Sequence, residues 1–227
     1  MIKRISIPVH SKAFVQQHIV LSPQRCLFWE EEQMLVLADL HIGKAAHFRK
    51  AGIPIPQALF QEDLIRLFDQ VNFFRPRSIL ISGDMFHSAA NLEHDWFSKW
   101  RTALGGIEIQ LVRGNHEILH DDEYARCGVH VMGSHLEKGP FTFSHELPHQ
   151  LNENSFYFIG HTHPGVRLSG KGKQQAVLPC FHLTDRCCTL PAFSAFSGKH
   201  IVEPKKQDRV YAILQDKGSA QLMAIPH

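Results

Sequence analysis

The sequence predicts an α/β protein, and two observations lead there. In the first half of the chain, short apolar runs of strand length alternate with segments of helical periodicity. In the second half, short strand candidates follow one another with only turn residues between them, which predicts a strand-rich, partly antiparallel second sheet. A third observation locates a site: five of these strand candidates end directly in polar clusters built from Asp, Asn, His and Glu.

Each element has its own signal. MLVLA (Met34 to Ala38), SILIS (Ser78 to Ser82) and IEIQLV (Ile107 to Val112) are short β-branched or Leu-rich runs, candidates for buried strands. Between them lie two helices. The first begins near Pro56, a residue suited to a first helical turn, and carries Phe60, Leu64, Ile65, Leu67, Phe68 and Val71 at helical spacing. The second runs from about Asn91 to Leu104, with Leu92, Trp96, Trp100 and Leu104 four apart, and stops at Gly105 and Gly106. Beyond it, VHV, FTF, SFYFI, GVRLS, AVLPCF, CCTL, RVYAIL and AQLMAI are the strand candidates of the second sheet.

With 227 residues, 44% hydrophobic and without a long Pro/Gly/Ser linker or internal repeat, the chain reads as one domain over 1–227. Lys and Arg number 24 against 22 Asp and Glu, a formal charge of +2. That balance excludes a strongly basic nucleic-acid footprint and leaves room only for a local cationic patch. The longest apolar runs fall far short of the roughly 18 residues of a membrane span. Pro8, His10, Ser11 and Lys12 interrupt the N-terminal segment, so it lacks the apolar centre of a signal peptide, and a cytoplasmic location is expected. The five cysteines, Cys26, Cys127, Cys180, Cys187 and Cys188, contain no CxxC pair, and reduced thiols acting as small hydrophobes are expected.

The 17 histidines are the compositional anomaly. Asp39-Leu40-His41 follows the first strand candidate, Gly83-Asp84 the second, and Gly114-Asn115-His116-Glu117 the third. Ser144-His145-Glu146 follows FTF, and Gly160-His161-Thr162-His163 follows SFYFI. Ligands of open α/β sheets bind beyond the carboxyl ends of the strands, so a shared sheet edge gathers all five clusters. The donors are oxygen and nitrogen without sulfur, which suits Mn²⁺, Fe²⁺ or Zn²⁺. Asp39, His41, Asp84, Asn115, His145, His161 and His163 are too many for one ion, and two ions sharing a carboxylate would use them all.

In this order, DxH, GD, GNHE, a single His and GHTH resemble the motifs of the calcineurin-like metallophosphoesterases. The resemblance implies a four-layer α/β sandwich of two mixed β-sheets flanked by helices, and metal-dependent hydrolysis of a phosphoester. It implies that Asp39, His41 and His163 hold one divalent ion and Asn115, His145 and His161 the other, with Asp84 bridging. Mn²⁺ is the expected metal, with Zn²⁺ or Fe²⁺ as alternatives. It assigns His116 a catalytic role as general acid or electrostatic clamp at the scissile phosphate. Many members carry Asp three residues after the bridging Asp, where this chain has His87; a substrate contact or support of a ligand is open to it.

DLHIGKAAHFRKAGIPIP (Asp39 to Pro56), GDMFHS (Gly83 to Ser88), RGNHE (Arg113 to Glu117) and PAFSAFSGKH (Pro191 to His200) are similar to the bacterial ligase-associated DNA damage response endonucleases, the PdeM-like subfamily. That likeness implies a DNA substrate, a link to DNA repair, and functional association with a DNA ligase and a helicase. Arg49, Lys50, His87 and Arg113 are the expected substrate contacts, and Lys44, His47 and Arg167 extend the same cationic rim. A phosphomonoesterase or a small cyclic-nucleotide phosphodiesterase would use the same ligands. A non-catalytic scaffold of this fold would have lost some of them, and here none is missing.

Overall fold

The computed structural model describes residues 1–7, 16–44, 52, 58–86, 92–115, 117, 119–170, 175–216 and 219–226. Seven strands form the first sheet in chain order: β1 (Lys3–Ile7), β2 (Gln17–Ser22), β3 (Cys26–Trp29), β4 (Met34–Leu37), β5 (Ser78–Ser82), β6 (Glu108–Val112) and β7 (Val129–Val131). The first four pair antiparallel, and β4 to β7 pair parallel. Three helices, α1 (Ala58–Phe74), α2 (Leu92–Ala103) and α3 (Asp121–Arg126), make the crossovers between the parallel strands.

The second sheet contains β8 (His135–Lys138), β9 (Phe141–Ser144), β10 (Phe156–Ile159), β11 (Pro164–Ser169), β12 (Gln175–Leu183), β13 (Cys187–Thr189), β14 (His200–Ile201), β15 (Arg209–Asp216) and β16 (Ser219–Ile225). At its centre β9, β10 and β13 run parallel, and antiparallel pairs flank them. The nine-residue β12 is shared along its length, pairing β11 through its first half and β13 and β15 through its second.

Alternation along the strands builds the layers. In β4, Met34 and Val36 face the second sheet, whereas Leu35 and Leu37 face the helices, and all four are buried. The inter-sheet core combines Trp29, Leu80 and Val112 with Phe141, Phe143, Phe156, Phe158 and Phe181. Its aromatic rings interlock, with Phe143 and Phe158 stacked at 5.3 Å and Phe141 edge-on to Phe158 at 5.0 Å. On the outer face, Ile79, Ile81, Ile109 and Leu111 meet Leu64, Leu67 and Val71 of α1, Phe97 and Trp100 of α2, and Tyr124 of α3. All three described helices cover this one face, and the second sheet's outer face carries two smaller apolar clusters around Tyr157 and Val210.

Two details differ from the sequence pattern. Ile65 matches the helical apolar spacing but is 60% exposed, because Leu64, Leu67 and Val71, with Phe68 and Phe74 beside them, define the face of α1 against the sheet. The strands β1, β2, β3, β8 and β14 are additional to those expected from the pattern. The start of α1 near Pro56, and the side chains of Leu92 and Trp96, lie outside the described residues. All five cysteines are free. No described helix is long and apolar enough to cross a membrane.

Candidate metal centre

The five polar clusters stand at the carboxyl ends of parallel strands, three from the first sheet (β4, β5, β6) and two from the second (β9, β10). The backbone beyond β4 and β5 stays paired although it has left regular strand geometry. Asp39 N–H donates to the Gly83 carbonyl at 3.2 Å, His41 N–H to the Asp84 carbonyl at 2.8 Å and Ile42 N–H to the Met85 carbonyl at 2.8 Å. Along this run Asp39, His41 and Asp84 adopt left-handed conformations, with φ of 56°, 52° and 49°. His161 and His163 do the same, at 65° and 48°. Such a backbone costs an L-residue with a side chain about 1–2 kcal/mol, and it persists where the surroundings over-determine it. Five of the eight non-glycine residues in this state among those described are donors expected from the sequence, so the strain is concentrated at the site.

Three glycines clear the space for the donors. A Cβ on Gly83 would sit 2.0 Å from His145 Nδ1, one on Gly114 2.2 Å from Asp84 Oδ1, and one on Gly160 2.7 Å from Asp39 Oδ2. The GD, GN and GH pairs of the sequence are therefore packing requirements. Each glycine lets a neighbouring strand's ligand pass over its backbone.

Two groups of donors result among the described residues. Asp39, His41 and His163 bring one ligand atom each within 4.8 Å of one another, and so do Asp39, Asp84 and His145. In the first group, His41 Nε2 and His163 Nε2 are 3.3 Å apart, and His163 Nε2 is 3.5 Å from Asp39 Oδ1. In the second, His145 Nε2 lies 3.5 Å from Asp84 Oδ1, 3.1 Å from Asn115 Oδ1 and 3.2 Å from His161 Nδ1. The His145 Nδ1–H donates to the Ser82 carbonyl at 3.3 Å, which leaves the Nε2 lone pair turned toward those atoms. The Asp39 carboxylate is held by the N–H of His161, at 3.1 Å and 3.3 Å to its two oxygens.

This donor set fits a divalent metal. Asp39 is wholly buried and Asp84 is 2% exposed. Two carboxylate charges within 4.8 Å repel by about 3–4 kcal/mol at an effective dielectric constant near 20, and burial adds a desolvation cost. Divalent cations offset both terms, and the converging imidazole and amide lone pairs provide the remaining ligands. Lys44 answers part of that charge. Burial lowers the pKa of its ammonium, and Asp39 and Asp84 oppose the shift.

The surrounding residues brace the ligands. Glu117 accepts from the Met85 N–H at 2.6 Å and from the Tyr124 hydroxyl, which ties the Asp84 turn to α3. Burial raises its carboxyl pKa, and the bonds from Tyr124 and the backbone oppose that rise. Arg113, an expected substrate contact, pairs with Asp121 and lies over the Tyr124 ring with its guanidinium carbon 5.6 Å from the centroid. Glu146 Oε1 approaches His161 Nδ1 at 3.5 Å. His47, Arg49, Lys50, His87 and His116 lie outside the described residues.

Sequence reasoning gave no role to the segment after β13. There, Phe193 N–H donates to the Ala38 carbonyl at 2.8 Å, Ser194 N–H to the Asp39 carbonyl at 3.1 Å, and His200 N–H to the His163 carbonyl at 3.0 Å. It is anchored from beneath by Asp63, which accepts from the Ala195 N–H at 3.1 Å and from Arg66 at 2.7 Å, and by Arg25, which donates to the Ser194 carbonyl at 2.8 Å. Only the motif PAFSAFSGKH marked this stretch in the sequence, and a lone Arg in a turn carries no signal of its own.

Two mixed sheets that deliver Asp, Asn and His donors to one edge define a metal-binding phosphoesterase fold and site. Residues 33–171 match the calcineurin-like phosphoesterase family, and the chain belongs to that family. Among solved structures it is similar to the Pseudomonas putida nuclease MPE, with 26% identity and a TM-score of 0.75 over 93% of this chain and 96% of that one. It also matches the E. coli phosphoesterase YfcE with 14% identity and a TM-score of 0.44, over 85% and 97% of the two chains. No curated protein matches the sequence.

Proposed function

We propose that this protein is a two-metal phosphodiesterase that cleaves nucleic acid, with DNA as the preferred substrate. The observation that carries the reading is the convergence of two donor groups that share Asp39, drawn from both sheets. The likeness to a nuclease along 93% of the chain supports the substrate class. In this reading Asp39, His41 and His163 hold one divalent ion, and Asn115, His145 and His161 the other, with Asp84 between them. Mn²⁺ is the metal proposed.

When bound, such ions supply Lewis acidity toward the phosphoryl oxygens of an in-line displacement. The chain's own groups prepare the rest. Asp39 is oriented by the His161 N–H, and His145 has its tautomer set by the Ser82 carbonyl. His116, next in sequence to Asn115, donates a proton to the leaving oxygen or offsets charge on the phosphoryl group. Lys44 adds positive charge beside the two carboxylates. The sequence likeness to ligase-associated endonucleases extends the proposal to a role in DNA repair alongside a DNA ligase and a helicase.

The test is a substrate panel on Mn²⁺-loaded protein: single-stranded DNA, duplex DNA, RNA, bis-p-nitrophenyl phosphate and p-nitrophenyl phosphate. Cleavage of DNA and of the diester, with little of the monoester, is expected. Turnover of the monoester alone would replace this reading with a phosphomonoesterase.

A further inference from the structure

Arg25 occupies the tight turn between β2 and β3, where its N–H closes onto the Ser22 carbonyl at 3.1 Å and its φ is 65°. A left-handed arginine is unfavourable by about 1–2 kcal/mol, so its placement is imposed by what surrounds it. The side chain turns toward the segment that carries the backbone partners of Asp39 and His163, and its Nη1 donates to the Ser194 carbonyl at 2.8 Å.

The local charge does not balance. Arg66 pairs with one carboxylate, Asp63, whose field also reaches Arg25, and Asp63 spends its acceptors on Arg66 and the Ala195 N–H. Arg25 makes no salt bridge among the described residues. Burial, reinforced by Arg66 and only partly offset by Asp63, brings its pKa down to about 10, so it remains a cation at neutral pH. Two guanidinium groups and one carboxylate leave one positive charge in a partly desolvated place, and an anion is the complement that setting favours.

The position of that charge narrows the anion's identity. Arg25, His163, Ser194, Ser197, Gly198 and Lys199 line one small cleft of about 10 Å³, room for a single water, so a phosphate meets these side chains at its mouth. Asp39, Asp84 and His145 are absent from its walls, so the cleft lies beside the first donor group and not between the two. A guanidinium has five donors in a planar fork that suits phosphate oxygens, and Lys199 adds a second, exposed cation on the same wall. A strand that places one phosphate at the donor groups must lay its neighbouring phosphates on the surface next to them.

We propose that Arg25, with Lys199, binds a non-scissile phosphate of the nucleic-acid strand on the His163 side of the centre, and so favours polymeric substrates over small esters. The assignment rests on the phosphodiesterase reading above. Arg25 is a positioning and specificity residue in this scheme and takes no part in bond breaking.

The experiment compares the parent, Arg25→Ala, Arg25→Lys and Lys199→Ala, all loaded with Mn²⁺. For single-stranded DNA, Arg25→Ala should raise KM roughly ten- to a hundredfold, the scale of losing hydrogen bonds to a charged group. Because Arg25 also anchors Ser194, basal chemistry is read in Lys199→Ala, whose kcat should change by less than about twofold and whose bis-p-nitrophenyl phosphate hydrolysis should stay at the parental level. A second readout is binding of a cleavage-resistant phosphorothioate strand. The log-log salt slope should become shallower by about 0.7 in Arg25→Ala, one contacted phosphate, and should be kept in Arg25→Lys. If Arg25→Ala fails to fold, Arg25→Lys should still raise KM for DNA several-fold, through loss of the planar fork, and Lys199→Ala should do so through loss of charge. Parent-like KM and salt slope in every folded variant, while the parent cleaves DNA, would overturn the Arg25 assignment alone. A parent that hydrolyses the small diester but no nucleic acid would overturn the nuclease reading and the assignment with it.

Discussion

The Nε2 atoms of His41 and His163 stand 3.3 Å apart although 122 residues separate them in the chain. Neutral imidazoles can share one proton at that distance, but Asp39 Oδ1 lies 3.5 Å from His163 Nε2 as well. Three lone-pair donors at one point are satisfied best by a cation. Loading with Mn²⁺ at a hundredfold excess over the dissociation constant should stabilise the chain by about 2.7 kcal/mol, a rise in Tm of roughly 5–10 °C over protein held in EDTA. Elemental analysis of the loaded protein should approach two ions per chain, and Asp84→Ala should lose both. Full activity with one ion would contradict the dinuclear proposal.

His116→Ala is expected to keep its metal content and lose catalysis. General acid work contributes about 10²–10⁴-fold, and that is the loss to look for in kcat, with elemental analysis run on the same sample. A variant that lost metal along with activity would make His116 a ligand.

The glycine cradle makes a sharper claim. Gly83→Ala combines φ of +83° with a Cβ only 2.0 Å from His145 Nδ1, so it should destabilise by about 2 kcal/mol or more and weaken metal binding. Gly106 has open space around its Cβ position, and Gly106→Ala should stay within about 0.5 kcal/mol of the parent. Denaturant melts of the two variants, beside metal titrations, check both expectations.

Thiol chemistry offers an independent reading of the core. Burial pushes the Cys26 and Cys180 thiols up to about 12 and raises Cys188 well above its ordinary range, whereas Cys127 is only half-buried. The thiolate is the reactive form, so at pH 8 a disulfide reagent should modify Cys127 first, and the four buried thiols, Cys26, Cys180, Cys187 and Cys188, only as the chain unfolds. Equal rates at all positions would place those side chains nearer the surface than described.

The donors were legible in the sequence because β4, β5, β6, β9 and β10 are buried on both faces. Their runs are predominantly apolar, and the polar cluster after each run marks the site edge. Among the strands missed, β2 and β3 are as buried as those read, whereas β1 and β8 lack that contrast. In β8 the residues HLEK alternate between exposed and half-buried, and β1 turns only Ile5 and Ile7 inward among charged neighbours. The Arg25–Asp63–Arg66 cluster was beyond a one-dimensional reading for a different reason. Its partners include the Ser194 and Phe193 carbonyls, and a main-chain acceptor leaves no trace in residue type.

The supports of Asp39 also bear on when the site can exist during synthesis. Its carboxylate is held by His161, and its own carbonyl by Ser194, more than 150 residues later. Contacts of such long sequence separation form late, because a large loop must close before any of them is made. A nascent chain that has emerged only through His163 carries all seven donors but lacks the segment that fixes the backbone of Asp39 and His163. Truncation before Phe193 should therefore leave every expected ligand in the polypeptide and still yield a species that cannot hold them in register, so hydrolytic competence arrives only once the segment beyond β13 has been made.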